Sequence, residues 1–228
     1  QTSGLNSGDI FPVGTTTNTF LVTDNSGLTA TCSFNVIVED NEDPTWVNAP
    51  TDLTVECDGA GNVTEFDNWL NNTFTGMDNC PNWVITNDSS GLSDDCGMTG
   101  SEIVTFRLTD ESSNFIELDA TFTIEDATPP TIDVEASDLT VECDGNGNTS
   151  ELNDWLASIG TTGAASDICA GVTWTNDFTI LNNDVCGALT TVIFTATDEC
   201  GNFVTTEATI NTEDTIPPVI GCPGDVTA

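Results

Sequence analysis

The sequence contains no histidine, no lysine and no tyrosine, and Arg107 is its one basic side chain. Without imidazole there is no Ser-His or Cys-His nucleophile pair and no base that titrates near neutrality. Without lysine there is no Schiff base. Two carboxylates can still hydrolyse a glycoside, but one of them needs an apolar pocket to raise its pKa. The acids here sit in turn-like sequence, so no enzyme is expected. Long apolar runs are missing too: nothing approaches the ~18 residues of a membrane span. No stretch at Gln1 reads as a signal peptide, so the chain is expected to be mature, soluble material or a piece of something longer.

What is abundant is negative charge. Thirty-eight acidic residues give a formal net charge of −37, which repels nucleic acid and anionic membranes and makes both poor partners. Three readings of that charge stay open: a solubility surface, adaptation to salty water, and neutralisation by divalent cations at specific sites. Nine cysteines in 24.0 kDa point to an oxidising, extracellular setting. No two of them have the C-x₂₋₄-C spacing of a zinc site, so disulfides are expected.

The chain repeats itself. Asp52–Cys57 (DLTVEC) recurs as Asp138–Cys143, followed by DGxGN at Asp58–Asn62 and Asp144–Asn148, then Trp69-Leu70 and Trp155-Leu156. Next come Cys80 and Cys169, Trp83 and Trp174, and Cys96 and Cys186. Each unit closes on a Thr-Asp turn and a Glu-Asp pair: Thr109-Asp110 to Glu125-Asp126, and Thr197-Asp198 to Glu213-Asp214. The same ending occurs at Thr23-Asp24 to Glu39-Asp40. Four segments are therefore expected: 1–43, the end of a first domain; 44–128, a full unit with three cysteines; 129–216, a full unit with four; and 217–228, the start of another. Prolines at the boundaries stiffen short extended linkers.

Within each unit the apolar period is two. Val104, Phe106 and Leu108 alternate with Ile103, Thr105 and Arg107, and Val192, Phe194 and Ala196 do likewise, the mark of half-buried antiparallel strands. Phe66, Trp69 and Leu70 instead fall at i, i+3, i+4, copied by Leu152, Trp155 and Leu156, so each full unit has one short helix, with Thr64 and Ser150 as candidate N-caps. The helical tryptophans are expected in the core, and Trp83 and Trp174 on a central strand against a disulfide. The fold class is mainly β: tandem immunoglobulin-like antiparallel sandwiches. DGxGN suits a turn into the helix better than a calcium loop, since no acid stands at the twelfth place.

The motif Phe11–Thr17 (FPVGTTT), with Thr23–Gly27 (TDNSG) and Thr31–Asp40 (TCSFNVIVED), resembles the end of a hyalin repeat (HYR) domain, and Cys222–Val226 (CPGDV) looks like the start of another. The full units resemble the four-cysteine HYR-like modules of large bacterial surface proteins, including gliding-motility adhesins exported by type IX secretion. The resemblance implies an extracellular, cell-surface stalk or filament. Asp214-Thr215-Ile216 looks like a short O-glycosylation motif of the same group. One departure is Ser112, where the second full unit has Cys200.

Topology suggests which residues meet. Domains joined head to tail have termini at opposite ends, so each chain reversal assigns its cysteine to one end. This predicts Cys143–Cys186, Cys169–Cys200 and Cys57–Cys96, with Cys80 a free thiol opposite Ser112 and with Cys32 and Cys222 pairing outside this sequence. It also gathers acids at the junctions: Glu39, Asp40, Asp78, Asp110 and Asn114 at the first, and Glu125, Asp126, Asp167, Asp198 and Asn202 at the second. Calcium takes six to eight oxygens, at about 2.3–2.6 Å, from such groups, and it is the cofactor expected to lock neighbouring domains into a rod. The same Asp, Asn and Gly residues also build plain turns. Expected partners are neighbouring domains of the same long chain and further copies in a filament. A carbohydrate-binding array, with Trp46 in a linker as its exposed aromatic, is the alternative.

Overall fold

The computed structural model describes residues 1–180, 186, 187, 189–222 and 224. Its strands in order are β1 (Gly14–Thr23), β2 (Thr29–Val38), β3 (Thr45–Asn48), β4 (Leu53–Glu56), β5 (Thr75–Met77), β6 (Trp83–Asn87), β7 (Gly100–Asp110) and β8 (Phe115–Glu125), then β9 (Thr131–Val134), β10 (Leu139–Glu142), β11 (Ala164–Ser166), β12 (Val172–Asn176), β13 (Leu189–Asp198) and β14 (Phe203–Glu213). Helix α1 (Val63–Leu70) follows β4; α2 (Thr149–Ala157) and a short turn, α3 (Ile159–Thr162), follow β10. The protein is mainly β, as the alternating pattern requires.

Each full repeat builds the same two sheets. One has four strands in the order β4-β8-β7-β6, repeated as β10-β14-β13-β12; the other is the pair β3-β5, repeated as β9-β11. The hairpin β1-β2 stands as a sheet of its own. One pairing departs from the antiparallel expectation. After β3 the chain crosses to the larger sheet through Ala49–Asp52, so β4 runs parallel to β8, with Leu53 opposite Phe122; β10 does the same on β14, with Leu139 opposite Ile210.

The period of two sorts the long strands. Val104, Phe106 and Leu108 are fully buried, while Ile103, just ahead of them on the opposite face, is 69% exposed. In the second repeat Leu152 and Trp155 of α2 pack on Val192, Phe194, Ala208 and Ile210. The indoles of Trp69 and Trp155 stand edge-on to Phe106 and Phe194 and donate to the Thr51 and Ser137 carbonyls at 2.9 and 3.0 Å. A buried indole with its N–H satisfied is a structural residue. Trp83 and Trp174, expected on a central strand, lie on the edge strands β6 and β12 instead, and Trp83 is 37% exposed. Trp46 is half-buried on β3, not free in a linker.

The DGxGN segments are turns. Asp58 Oδ1 accepts from the backbone N–H groups of Ala60 and Asn62 at 2.7 and 3.0 Å, and Asp144 Oδ1 from those of Asn146 and Asn148 at the same distances. Donors at these distances favour the charged carboxylates and hold both pKa values below the ordinary Asp range. Asn148, in the left-handed region with φ 47°, is the cap residue of α2, ahead of the Ser150 read from sequence. Asn tolerates that conformation better than Ser or Thr.

The chain packs into two compact units. The first comprises Gln1–Asp52, Asn68–Ser90 and Ile103–Thr121; the second comprises Leu53–Asp67, Gly91–Glu102 and Phe122–Ala228. Neither coincides with a sequence repeat. Each joins the end of one repeat to parts of the next.

Candidate cation sites and cysteine bridges

In the first unit the end of β2 meets the loop after β5. One carboxylate oxygen each from Asp40 and Asp78 and the Cys80 sulfur all lie within 4.8 Å of one another. Asp78 Oδ2 accepts from the Cys80 N–H at 3.2 Å, which fixes the loop. Asp110, 6% exposed at the end of β7, holds the β7–β8 turn by accepting from Asn114 N and Nδ2, both at 2.8 Å. Asn114 Nδ2 also donates to the Asp40 carbonyl at 3.2 Å, tying that turn to the linker.

The second unit repeats the arrangement. Asp126, Asp167 and Cys169 each bring one such atom within 4.8 Å of the others. Asp167 Oδ1 accepts from the N–H groups of Cys169 and Ala170 at 2.8 and 3.1 Å. Asp198, 5% exposed, binds Asn202 N and Nδ2 at 2.9 and 3.0 Å, and Asn202 Nδ2 donates to the Asp126 carbonyl at 2.9 Å.

The structure thus brings together Asp40, Asp78, Asp110 and Asn114, and then Asp126, Asp167, Asp198 and Asn202. It leaves out Glu39 and Glu125, which are exposed: each precedes its Asp by one residue, and alternation turns its side chain the other way. The sulfur atoms were not foreseen, although both sit two residues after their aspartate in a D-x-C spacing.

Electrostatics in both groups is unfavourable as it stands. Asp40 Oδ2 and Asp126 Oδ2 are buried with no hydrogen-bond partner. Burial pushes the Asp126 carboxyl up, opposed by the Thr128 N–H and reinforced by the charges of Asp167, Asp198 and Glu56. A hydrogen bond to Asp40 raises the Cys80 thiol, helped by burial and by the charges of Asp40, Asp78 and Asp110. Arg107 offers no relief, since its guanidinium lies 3.4 Å from the centre of the Phe115 ring and 3.7 Å from Glu117. Orphaned carboxylate oxygens and carbonyls suit a hard, oxygen-liganded divalent cation such as calcium, and the sulfurs beside them are a thiol at Cys80 and a disulfide sulfur at Cys169. They do not suit zinc, which takes thiolates.

The cysteines differ from expectation in partner. Cys143 bridges Cys186 as foreseen, with Cα atoms 5.4 Å apart. The pairs Cys57–Cys96 and Cys169–Cys200 do not form. Instead Cys57 bridges Cys169 and Cys96 bridges Cys200, with Cα separations of 6.0 and 5.2 Å, and both bonds cross the boundary between repeats. The reason is local packing inside the second unit. The Met98 N–H donates to the Cys169 carbonyl at 3.0 Å, and a Cβ on Gly97 would lie 2.5 Å from that oxygen. The loop bearing Cys96 is therefore seated on the loop bearing Cys169, and cysteines of adjacent repeats interleave. Cys32, Cys80 and Cys222 are unbridged. Beside Cys80 lies a cleft of about 620 Å³ lined by Phe11, Pro12, Val38, Pro81 and Ser112. The Thr215 hydroxyl, in the glycosylation-like motif, donates to Glu142 at 2.6 Å, just as Thr128 does to Glu56 at 2.7 Å, so its role in the fold is structural.

Residues 1–38 match the HYR domain family. The chain is 30% identical over 236 residues to hyalin of Lytechinus variegatus, covering 96% of this chain and 41% of that protein. It is 32% identical over 237 residues to hyalin of Strongylocentrotus purpuratus, covering 99% and 18%. The chain therefore spans less than half the length of these relatives. Among solved structures it resembles Drosophila N-cadherin EC1-4, at 13% identity and a TM-score of 0.26 over 90% of this chain and 60% of that one. It also resembles the protocadherin gammaB4 extracellular domain, at 12% identity and a TM-score of 0.32 over 88% and 39%. The HYR and hyalin matches support a HYR-like repeat family and, with the disulfides, an extracellular location.

Proposed function

We propose that this chain is a structural and adhesive stalk segment of an extracellular protein, stiffened at its repeat junctions by disulfides and calcium. The observation that carries the reading is the pair of bridges Cys57–Cys169 and Cys96–Cys200, which link one repeat to the next. Covalent links between successive repeats suit a load-bearing tether. The segments 1–43, 44–128, 129–216 and 217–228 are its successive domains, and neighbouring domains are its first partners. A bacterial gliding-adhesin setting with type IX export is the finer reading that the sequence motifs favour.

Calcium enters through Asp40, Asp78 and the Asp40 carbonyl at one junction, and through Asp126, Asp167 and the Asp126 carbonyl at the next, with water completing the shell. The bound ion supplies positive charge where the chain has none to spare. Glycan binding lacks a comparable support, because Trp69 and Trp155 are buried and Trp46 is half-buried.

The test is thermal melting with calcium and with a chelator. A cation present at about 100 times its Kd stabilises by about 2.7 kcal/mol, so a clear drop in Tm on chelation is expected. An unchanged Tm removes the structural metal from the proposal.

A further inference from the structure

The bridge Cys57–Cys169 and the acid group of the second unit are parts of one closed ring of contacts. Cys57 follows β4, and its N–H donates to the Glu125 carbonyl at 2.8 Å, one step beyond the parallel pairing of Glu56 with Glu125. Its sulfur is therefore fixed beside the peptide that leads into Asp126. At the other end the Cys169 N–H donates to Asp167 Oδ1 at 2.8 Å, and the Ala170 N–H donates to the same oxygen at 3.1 Å. One covalent bond thus ties the strand that leads into Asp126 to the loop that carries Asp167. Both cysteines are buried, at 5% and 3% exposure. The turn after Cys57 is seated on the same loop, since a Cβ on Gly59 would lie 2.6 Å from the Ile168 carbonyl oxygen.

The bridge sets the spacing of the two carboxylates. One oxygen each of Asp126 and Asp167 and the Cys169 sulfur lie within 4.8 Å of one another. Asp126 Oδ2 is buried there with no hydrogen-bond partner, an acceptor that the protein itself leaves unsatisfied. With the bridge closed, a cation meets two carboxylates already in place. With it open, the cation must hold strand and loop together against the repulsion of like charges, and that ordering cost comes out of the binding free energy. The sulfur set free does not make up the difference, because calcium takes oxygen ligands and a thiol offers none. Cys143–Cys186 is the comparison within the chain. The Cys143 N–H donates to the Glu213 carbonyl at 2.8 Å in the same way, yet neither cysteine belongs to an acid group among the described residues.

We infer that calcium binding at Asp126 and Asp167 and closure of the Cys57–Cys169 bridge are reciprocally coupled, so that the cation sets how readily this one bridge is reduced. The inference rests on the calcium reading above and adds its regulation. Coupling between two equilibria is symmetric: whatever factor the bridge contributes to calcium affinity, calcium returns to the stability of the bridge. In the reduction a dithiol such as dithiothreitol delivers two electrons and two protons. The Cys57–Cys169 bond breaks, two thiols form, and the reagent closes to a cyclic disulfide. The covalent link between repeats is then durable where calcium is plentiful and exchangeable where calcium is withdrawn.

The experiment equilibrates the full, unaltered chain in dithiothreitol buffers of graded redox potential, with calcium or with a chelator. Alkylation and peptide mapping then read all three bridges. Calcium should raise the dithiol-to-disulfide ratio at the Cys57–Cys169 midpoint by about tenfold or more, which is about 30 mV for a two-electron couple. Cys143–Cys186 should stay where it was, and Asp126→Asn should abolish the shift at Cys57–Cys169. Calorimetry supplies the reciprocal arm. The Cys57→Ser, Cys169→Ser double variant should bind calcium at this site about tenfold or more weakly than the oxidised chain, with an intact Cys143–Cys186 peptide reporting that it has folded. Calcium binding to the oxidised chain with no shift at Cys57–Cys169, or with an equal shift at Cys143–Cys186, overturns the coupling and leaves the calcium reading standing. No calcium binding to the oxidised chain overturns both.

Discussion

The two junctions share one acid geometry and differ in sulfur. At the first, Asp40 and Asp78 face a free Cys80, and Ser112 stands where the next repeat has Cys200. At the second, Asp126 and Asp167 sit beside Cys169, and both Cys169 and Cys200 reach back to the preceding repeat. The difference separates two ways of holding domains together. One junction is crossed by two disulfides; the other, among the described residues, has packing and hydrogen bonds with no bridge. Cys169 and Cys200 therefore serve the repeat before their own. Cys143 and Cys186, which have no such partners, close on each other within the second repeat.

The largest effect that can break this comparison is removal of the crossing bridges. Cys57–Cys169 and Cys96–Cys200 span 112 and 104 positions, and in the chain-entropy model a loop of that size contributes about 4–5 kcal/mol. The Cys57→Ser, Cys169→Ser pair should lower the denaturation midpoint of the second unit strongly and leave amide exchange in the β1-β2 hairpin unchanged. Equal loss in both units would mean the bridges are not local to one junction. Next in size is Phe194→Ala, which removes the ring against Trp155 and should cost about 3–5 kcal/mol by urea unfolding. Phe106→Ala, against Trp69 and Phe74, should cost a similar amount. A much smaller loss at Phe106 would mark the core of the less-bridged repeat as looser.

How far the sequence reached follows the same divide. The period of two placed Val104, Phe106 and Leu108 correctly, and the i, i+3, i+4 spacing placed Trp69 and Trp155, because burial is decided locally by alternation. That the Asp and Asn residues of each group lie near one another was legible because they stand in turns and at strand ends that the repeat places next to each other. Cysteine partners were not. Their choice depends on how the Gly97-Met98 loop seats on Cys169 from another repeat, and no spacing inside one repeat carries that information. Trp83 was misplaced for a related reason: an aromatic on an edge strand and one on a central strand read alike in sequence.

A smaller effect comes from protons. Glu56 and Glu142 are held below the ordinary Glu range by Thr128 and Thr215. Their contribution is present above the unfolded carboxylate pKa and fades as pH falls through their folded values. Asp126 has the opposite sign. Its folded pKa is raised, so its charge opposes folding above that value and the penalty is relieved as pH falls through it. Asp126→Asn should therefore raise Tm in chelator at neutral pH while diminishing the Tm gain on adding calcium. A variant that lowers Tm in chelator would show the carboxylate to be stabilising by itself.

The smallest effect is kinetic and concerns the one thiol of the less-bridged junction. Cys80 is half-buried and its pKa is raised, first by its bond to Asp40 and then by burial and the surrounding carboxylates, whereas Cys32 and Cys222 are exposed. The thiolate is the nucleophile, so a raised pKa lowers the reactive fraction at neutral pH. In an iodoacetamide time course read by peptide mapping, Cys32 and Cys222 should be alkylated first and Cys80 last. Asp40→Asn removes both the strongest acceptor and a neighbouring charge, so it should speed Cys80 alone. If calcium binds between Asp40 and Asp78, adding it should change the rate at Cys80 and not at Cys32. Equal rates at all three thiols would remove the acid group's influence on Cys80, and with it the parallel drawn between the two junctions.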